Sequence, residues 1–171
     1  MFVLVLKIQE VPLMSTPTFP YPSRKNIHLK QSVYEENGLY FITICTREKQ
    51  CLLGFIEDDF LHPTETGNIV TEEIHALENS RPGMTIPQFV VMPNHIHLLV
   101  ARERTARGKI PTLERFIGML KAHVTKRCGA SIWQRGYYDH IVRTENDLVQ
   151  IREYIQNNPR KWELDQEYRK N

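Results

Sequence analysis

Two histidines, His95 and His97, stand one residue apart in FVVMPNHIHLLV, Phe89 to Val100. The stretch reads as two short apolar runs, Phe89–Met92 and Ile96–Val100, hinged at Pro93-Asn94. Side chains alternate along a strand, so His95 and His97 share one side while Ile96, Leu98 and Val100 take the other. Both imidazoles can then reach one metal ion, with apolar residues behind them holding the backbone still. A lone histidine in such a strand would be an ordinary half-buried residue. Two on one face of a strand built from Leu, Ile and Val form a polar pair that needs partners when buried. A third ligand and a chemistry must come from elsewhere in the chain.

The second constellation is Tyr154-Ile155-Gln156-Asn157-Asn158-Pro159. Tyr154 and Asn158 are four apart, so on a helix they lie on one face, one turn from each other. A phenol and an amide oxygen presented together can act as a nucleophile and as an oxygen ligand for the same metal. A half-buried Tyr154 and a C-terminal capping Asn158 explain the same spacing with no chemistry, and spacing alone favours that simpler account.

These residues need a frame to bring them together. At 171 residues, 41% hydrophobic and 25% charged, the chain has the size and composition of one soluble globular domain. We divide it into an N-terminal leader over 1–30 and a single domain over 31–171. The leader's MFVLVLKIQEVPLM is cut by Lys7 and Glu10, lacks a basic n-region and is too short to span a membrane. Its first residues read as an upstream start and are expected to be loosely packed. Cys45, Cys51 and Cys128 form no CxxC or zinc-finger spacing, which suggests a reduced, intracellular protein.

LYFITICT, Leu39–Thr46, reads as a strand, and CLLGFIEDDF as a hairpin excursion turning near Asp58-Asp59. Thr66–Gly67 precedes an amphipathic helix marked by Ile69, Ile74 and Leu77, with His75 packed or solvated upon it. Arg81-Pro82-Gly83 turns the chain into the histidine hairpin. Leu113, Phe116, Ile117, Leu120 and Val124 make one apolar helix stripe that stops at Gly129. Ile132–Arg143 is an aromatic-rich turn and a last strand. Thr144 caps a final helix that buries Leu148, Ile151 and Ile155 and ends at Pro159. Setting the excursion aside, the order is β, α, β, β, α, β and one extra α. This predicts an α+β fold of the ferredoxin-like (RRM-like) βαββαβ kind, with an antiparallel sheet and an appended C-terminal helix. Its usual strand order makes the histidine strand central.

Charge is uneven along this frame. Residues 1–100 hold 7 Lys+Arg against 11 Asp+Glu, 101–130 hold 8 against 2, and 131–171 balance at 7 against 7. A basic block directly after the histidine strand suits a polyanion running past the site, although a solvated helix face is the plainer account of charge alone.

The stretches MPNHIHLLV, IWQRGYYDHIVR and YIQNNPRKW, in that order, resemble the REP-associated tyrosine transposases. These are a branch of the single-tyrosine HUH transposases, named for a His-hydrophobe-His motif. The resemblance runs from about Leu39 to Trp162. It implies that His95 and His97 are ligands of a divalent metal, Mg²⁺ or Mn²⁺, that Asn158 completes the site, and that Tyr154 is the nucleophile. His140 matches a recurrent position, with a structural hydrogen bond at least as good an account as an accessory catalytic one. The implied activity is metal-dependent cleavage and strand transfer of single-stranded DNA beside a hairpin, such as a REP-like palindrome, through a 5′-phosphotyrosine. A free tyrosine has a pKa of about 10, so attack at neutral pH needs help. The metal supplies it mainly by stabilising charge on the scissile phosphate. Two imidazoles and an amide are a neutral set, weak for Mg²⁺, so substrate phosphate must complete the coordination.

Arg102, Arg104, Arg107, Lys109, Arg115 and Lys121 are the candidate phosphate contacts. Trp133, Tyr137 and Tyr138 could stack on bases, with core packing the plainer role. The expected setting is the bacterial cytoplasm, at nucleoid DNA, as a monomer or homodimer with no membrane association. Two other readings compete: an RRM-like binding module that does not cleave, and a zinc hydrolase recruiting His140 or His123 as a third histidine.

Overall fold

A computed structural model describes residues 37–104 and 110–164, so the leader, Arg107 and Lys109 lie outside the described residues. The protein is a mixed α+β fold whose main sheet has four antiparallel strands. The strands are β1 (Gly38–Cys45), β4 (Met84–Met92), β5 (His95–Arg102) and β6 (Tyr138–Val142). Their order across the sheet is β4-β5-β1-β6, so the histidine strand β5 is central and pairs with both β4 and β1. A separate two-stranded hairpin, β2 (Gly54–Glu57) and β3 (Phe60–Pro63), leads into helix α1 (Glu65–Ser80). Helix α2 (Leu113–Cys128) joins β5 to β6, and α3 (Glu145–Asn157) follows β6.

Alternation along the strands sends the two sheet faces to different partners. Ile42, Ile44, Ile96, Leu98 and Val100 point to one side and pack with Val70, Ile74 and Leu77 of α1 and Phe116, Ile117, Leu120 and Val124 of α2. Each such side chain fully buried contributes roughly 1.5–3 kcal/mol, so this core dominates the stability. Phe41 and Leu99 point to the other side, where α3 covers them with Ile151 and Ile155. The α3 layer is therefore the one that faces His95 and His97.

Local chemistry sets the element ends. Thr64, Thr112 and Thr144 cap the three helices, each side-chain oxygen accepting from a backbone N–H three residues on. Gly129 stops α2 in the left-handed conformation at φ 70°. Helix α1 begins ahead of the predicted Thr66–Gly67 boundary and takes Gly67 into its first turn. A Cβ there would lie 2.0 Å from the Leu53 carbonyl oxygen, so the close approach of the residue just before β2 requires glycine. Strand β4 starts at Met84, not at Phe89, with a register shift between Thr85 and Gln88. Pro87 lies within that shift, and the strand tolerates it because β4 is at the sheet edge. No helix among the described residues is long and apolar enough to cross a membrane.

Candidate active site

His95 and His97 enter the layer beneath α3 from adjacent same-face positions of β5, His95 with no exposed surface and His97 at 1%. Their Nε2 atoms face each other at 2.9 Å. Two nitrogens bound at about 2.1 Å to one octahedral ion and at right angles stand about 3.0 Å apart, so the pair fits adjacent positions on a single cation. The Nδ1 atoms are turned outward to protein partners, His95 to Asn94 Oδ1 at 2.8 Å and His97 to Thr43 Oγ1 at 2.8 Å. Burial, aided by the nearby Lys49 charge, pushes the His95 imidazole down from its usual 6.5 to about 3. It is thus neutral over the physiological range, which is the form that ligates a metal.

Helix α3 supplies the rest. The Tyr154 hydroxyl lies 3.3 Å from His97 Nε2, and its ring meets the His97 ring at 5.1 Å between centroids. Phe41, stacked on His97 at 5.2 Å, presents its ring edge-on to Tyr154 at 6.0 Å, so one aromatic orients both groups. Asn158 follows one turn later at the α3 C-cap, with only 2% exposure. Its Oδ1 and Nδ2 are buried with no hydrogen-bond partner among the described residues. A buried amide left unsatisfied costs roughly 1–3 kcal/mol per group, and an incoming ligand to its oxygen would remove part of that cost. Trp162, in the 3-10 stretch Pro159–Leu164, covers His95 at 6.0 Å between ring centroids.

The other candidates fall elsewhere. His140 sits on β6 opposite Phe41 and bonds Asp147 Oδ2 at 2.9 Å, tying the start of α3 to the sheet edge. His123 faces Glu73 at 3.3 Å in the α1–α2 layer. No group of three or more His, Cys, Asp or Glu side chains that could hold a metal forms among the described residues, so neither histidine completes a zinc triad with His95 and His97.

Arg102 points to the α1–α2 face, is nearly buried and donates to the Pro111 carbonyl at 3.1 Å. Lys121 donates to the carbonyls of Gln134 and Gly136 at 2.6 and 2.7 Å, and burial lowers its pKa. Arg104 and Arg115 are exposed, the latter on α2 across the sheet from the histidines. The basic block after β5 therefore belongs mostly to the layer opposite the site, because α2 packs on the other face. Trp133 is buried in that same core, with Tyr137 packed against it.

Four contributors escaped the sequence reading: Thr43, Asn94, Phe41 and Trp162. Asn94 stood beside His95 in plain view as a hinge residue. Thr43 and Phe41 share one face of β1 by its alternation, yet only the strand register pairs Thr43 with His97.

No family model matches the chain. An uncharacterized protein of Haemophilus influenzae is 35% identical over 167 residues, covering 85% of this chain and 93% of that one. The chain belongs to the family of that protein. In three dimensions it is similar to a REP-associated tyrosine transposase solved bound to a REP hairpin, with a TM-score of 0.59 and 25% identity. That likeness covers 74% of this chain and 69% of the solved one, and it supports a place within the transposase family.

Proposed function

We propose that this protein is a metal-dependent single-stranded DNA endonuclease and strand transferase of the single-tyrosine HUH type, in the REP-associated branch. The observation that carries the reading is the run of contacts from Tyr154 Oη to His97 Nε2 to His95 Nε2, at 3.3 and 2.9 Å, beneath one helix. A phenol next to two buried imidazoles is an arrangement for nucleophilic attack at a metal-bound phosphate, and the structural likeness to a tyrosine transposase supports it. The order β4-β5-β1-β6 supports the ferredoxin-like plan, with the first and third main-sheet strands central.

Tyr154 Oη would bond to the scissile phosphorus as the bond from phosphorus to the 3′ oxygen breaks. One fragment is then held as a 5′-phosphotyrosine and the other leaves with a free 3′-OH. Attack by a different 3′-OH reverses the step and rejoins DNA without ATP, because the tyrosyl ester keeps the phosphodiester energy. His95, His97 and Asn158 would hold Mg²⁺ or Mn²⁺, which when bound polarises the phosphate and stabilises its developing charge. Phe41 and the β5 backbone fix the histidines, and Trp162 shields His95 from water. The substrate we assign is single-stranded DNA beside a hairpin of REP type. The hairpin bound to the similar solved structure supports that choice. Arg104 and Arg115 remain exposed for phosphate contact.

Incubating the protein with labelled hairpin-bearing single strands and Mn²⁺ tests the reading. A covalent adduct that survives denaturing electrophoresis and disappears in Tyr154→Phe is the expected result. Binding of the same strands with no adduct would leave a non-cleaving nucleic-acid module, and an adduct undiminished in Tyr154→Phe would remove the tyrosine from the mechanism.

A further inference from the structure

We infer that Asn94 and Thr43 control which nitrogen of each histidine carries its proton, Asn94 as a fixed lock on His95 and Thr43 as a reversible partner for His97. The inference rests on the reading of His95 and His97 as metal ligands and adds the residues that prepare them. Asn94 is fully buried, and its Nδ2 donates to the Lys49 carbonyl at 3.1 Å. That bond orients the amide and leaves Oδ1 against His95 Nδ1 at 2.8 Å. An amide oxygen can only accept, so the proton sits on His95 Nδ1 and the lone pair on Nε2.

The consequence passes to the neighbour. With His95 Nε2 an acceptor, the 2.9 Å contact between the two Nε2 atoms requires the proton on His97 Nε2. His97 Nδ1 then carries a lone pair, and Thr43 Oγ1 donates to it across 2.8 Å. A cation between the two Nε2 atoms needs a lone pair from each. His95 already offers one. His97 must shift its proton to Nδ1, and the Thr43 hydroxyl must turn from donor to acceptor. A hydroxyl has both capacities, whereas an amide oxygen or a carboxylate in that place could not have donated beforehand. Both rings stay neutral throughout, so loading the ion moves one proton from Nε2 to Nδ1 of His97 and releases none. The backbone behind the lock is held in an uncommon shape. Glu48 and Lys49 adopt φ of 55° and 57°, and Thr46 Oγ1 lies within hydrogen-bond reach of the Gln50 and Asn94 carbonyls.

Nitrogen-15 NMR of the histidine rings in the metal-free protein tests this directly, with Zn²⁺ as a diamagnetic probe of the loaded state and calorimetry for Mn²⁺ affinity. The expected spectrum has His95 protonated on Nδ1 and His97 on Nε2, with His97 moving to Nδ1 on loading. Asn94→Ala should mix the His95 forms and weaken Mn²⁺ by about 10–100-fold. Thr43→Val should leave the His97 proton on Nε2 in the metal-free protein yet weaken Mn²⁺ on the same scale, with Thr43→Ser restoring it. A wild-type His95 protonated on Nε2, or Mn²⁺ affinity within about twofold of wild type in Thr43→Val, would overturn the inference. If Asn94→Ala does not fold, the wild-type spectrum and the Thr43 pair decide. A protein with the expected spectrum and Mn²⁺ affinity that forms no DNA adduct would count against the nuclease reading alone.

Discussion

On one face of the central sheet, Ile42, Ile44, Ile96, Leu98 and Val100 meet two helices in the larger hydrophobic core. On the other face, Phe41 and Leu99 meet Ile151 and Ile155 of α3 in a smaller cluster edged by Leu148 and Tyr154, and the positions beside them carry Thr43, His95 and His97. The same strands build both faces, since alternate residues are sent opposite ways. Concentrating apolar burial on one side leaves the other free to hold a facing histidine pair, a phenol and a buried amide with no hydrogen-bond partner among the described residues. Helix α3 is thus a cover positioned by modest packing, by the His140–Asp147 bond and by the Thr144 cap.

The largest contrast should come from Tyr154→Phe. Loss of one hydroxyl should reduce adduct formation by at least about a thousandfold while moving the Tm by no more than about 2 °C. Leu98→Ala, on the two-helix face, should cost about 3–5 kcal/mol in denaturant unfolding and leave adduct formation per folded molecule unchanged. Ile151→Ala, on the α3 face, should cost only about 2–3 kcal/mol yet slow adduct formation in protein that is fully folded, because it loosens the helix that carries Tyr154. Equal effects of these two truncations on the folded enzyme would erase the functional distinction between the faces.

The smallest effect is a pH dependence. Because His95 is held well below its ordinary pKa, at about 3, the unfolded chain takes up a proton there before the native one does. Its contribution to stability is fully present above about pH 6.5 and is lost progressively as the pH falls toward 3. Between pH 7 and 5 the loss should be on the order of 2 kcal/mol. Denaturation of His95→Gln should show a correspondingly flatter slope, and identical slopes would show that His95 is not held neutral by its burial.

Much of this arrangement is legible in the chain. The alternation in His95–Val100 separates the histidines from Ile96, Leu98 and Val100, and the stripe from Leu113 to Val124 marks the helix that buries against the latter. Gly129 and Thr144 mark element ends because cap chemistry is local. The misread features all depended on non-local packing. Gly67 looked like a boundary glycine but is demanded by the Leu53 carbonyl. The early start of β4 depended on an edge position that excuses Pro87. The basic residues after β5 looked adjacent to the histidines because they follow them in sequence, whereas α2 carries most of them to the opposite layer.

The sequence by itself determined the pieces: two same-face histidines, a phenol and an amide one helical turn apart, and the helices and strands that bear them. Those are consequences of periodicities of two and 3.6 residues, which act within a few neighbours. Only the tertiary structure decided that α3 closes over the histidine face, bringing a hydroxyl from residue 154 within 3.3 Å of residue 97. It also paired Thr43 with His97 and aimed the Asn94 amide at His95. Strand register and the choice of sheet face are set by packing between segments more than fifty residues apart, and no local pattern encodes that.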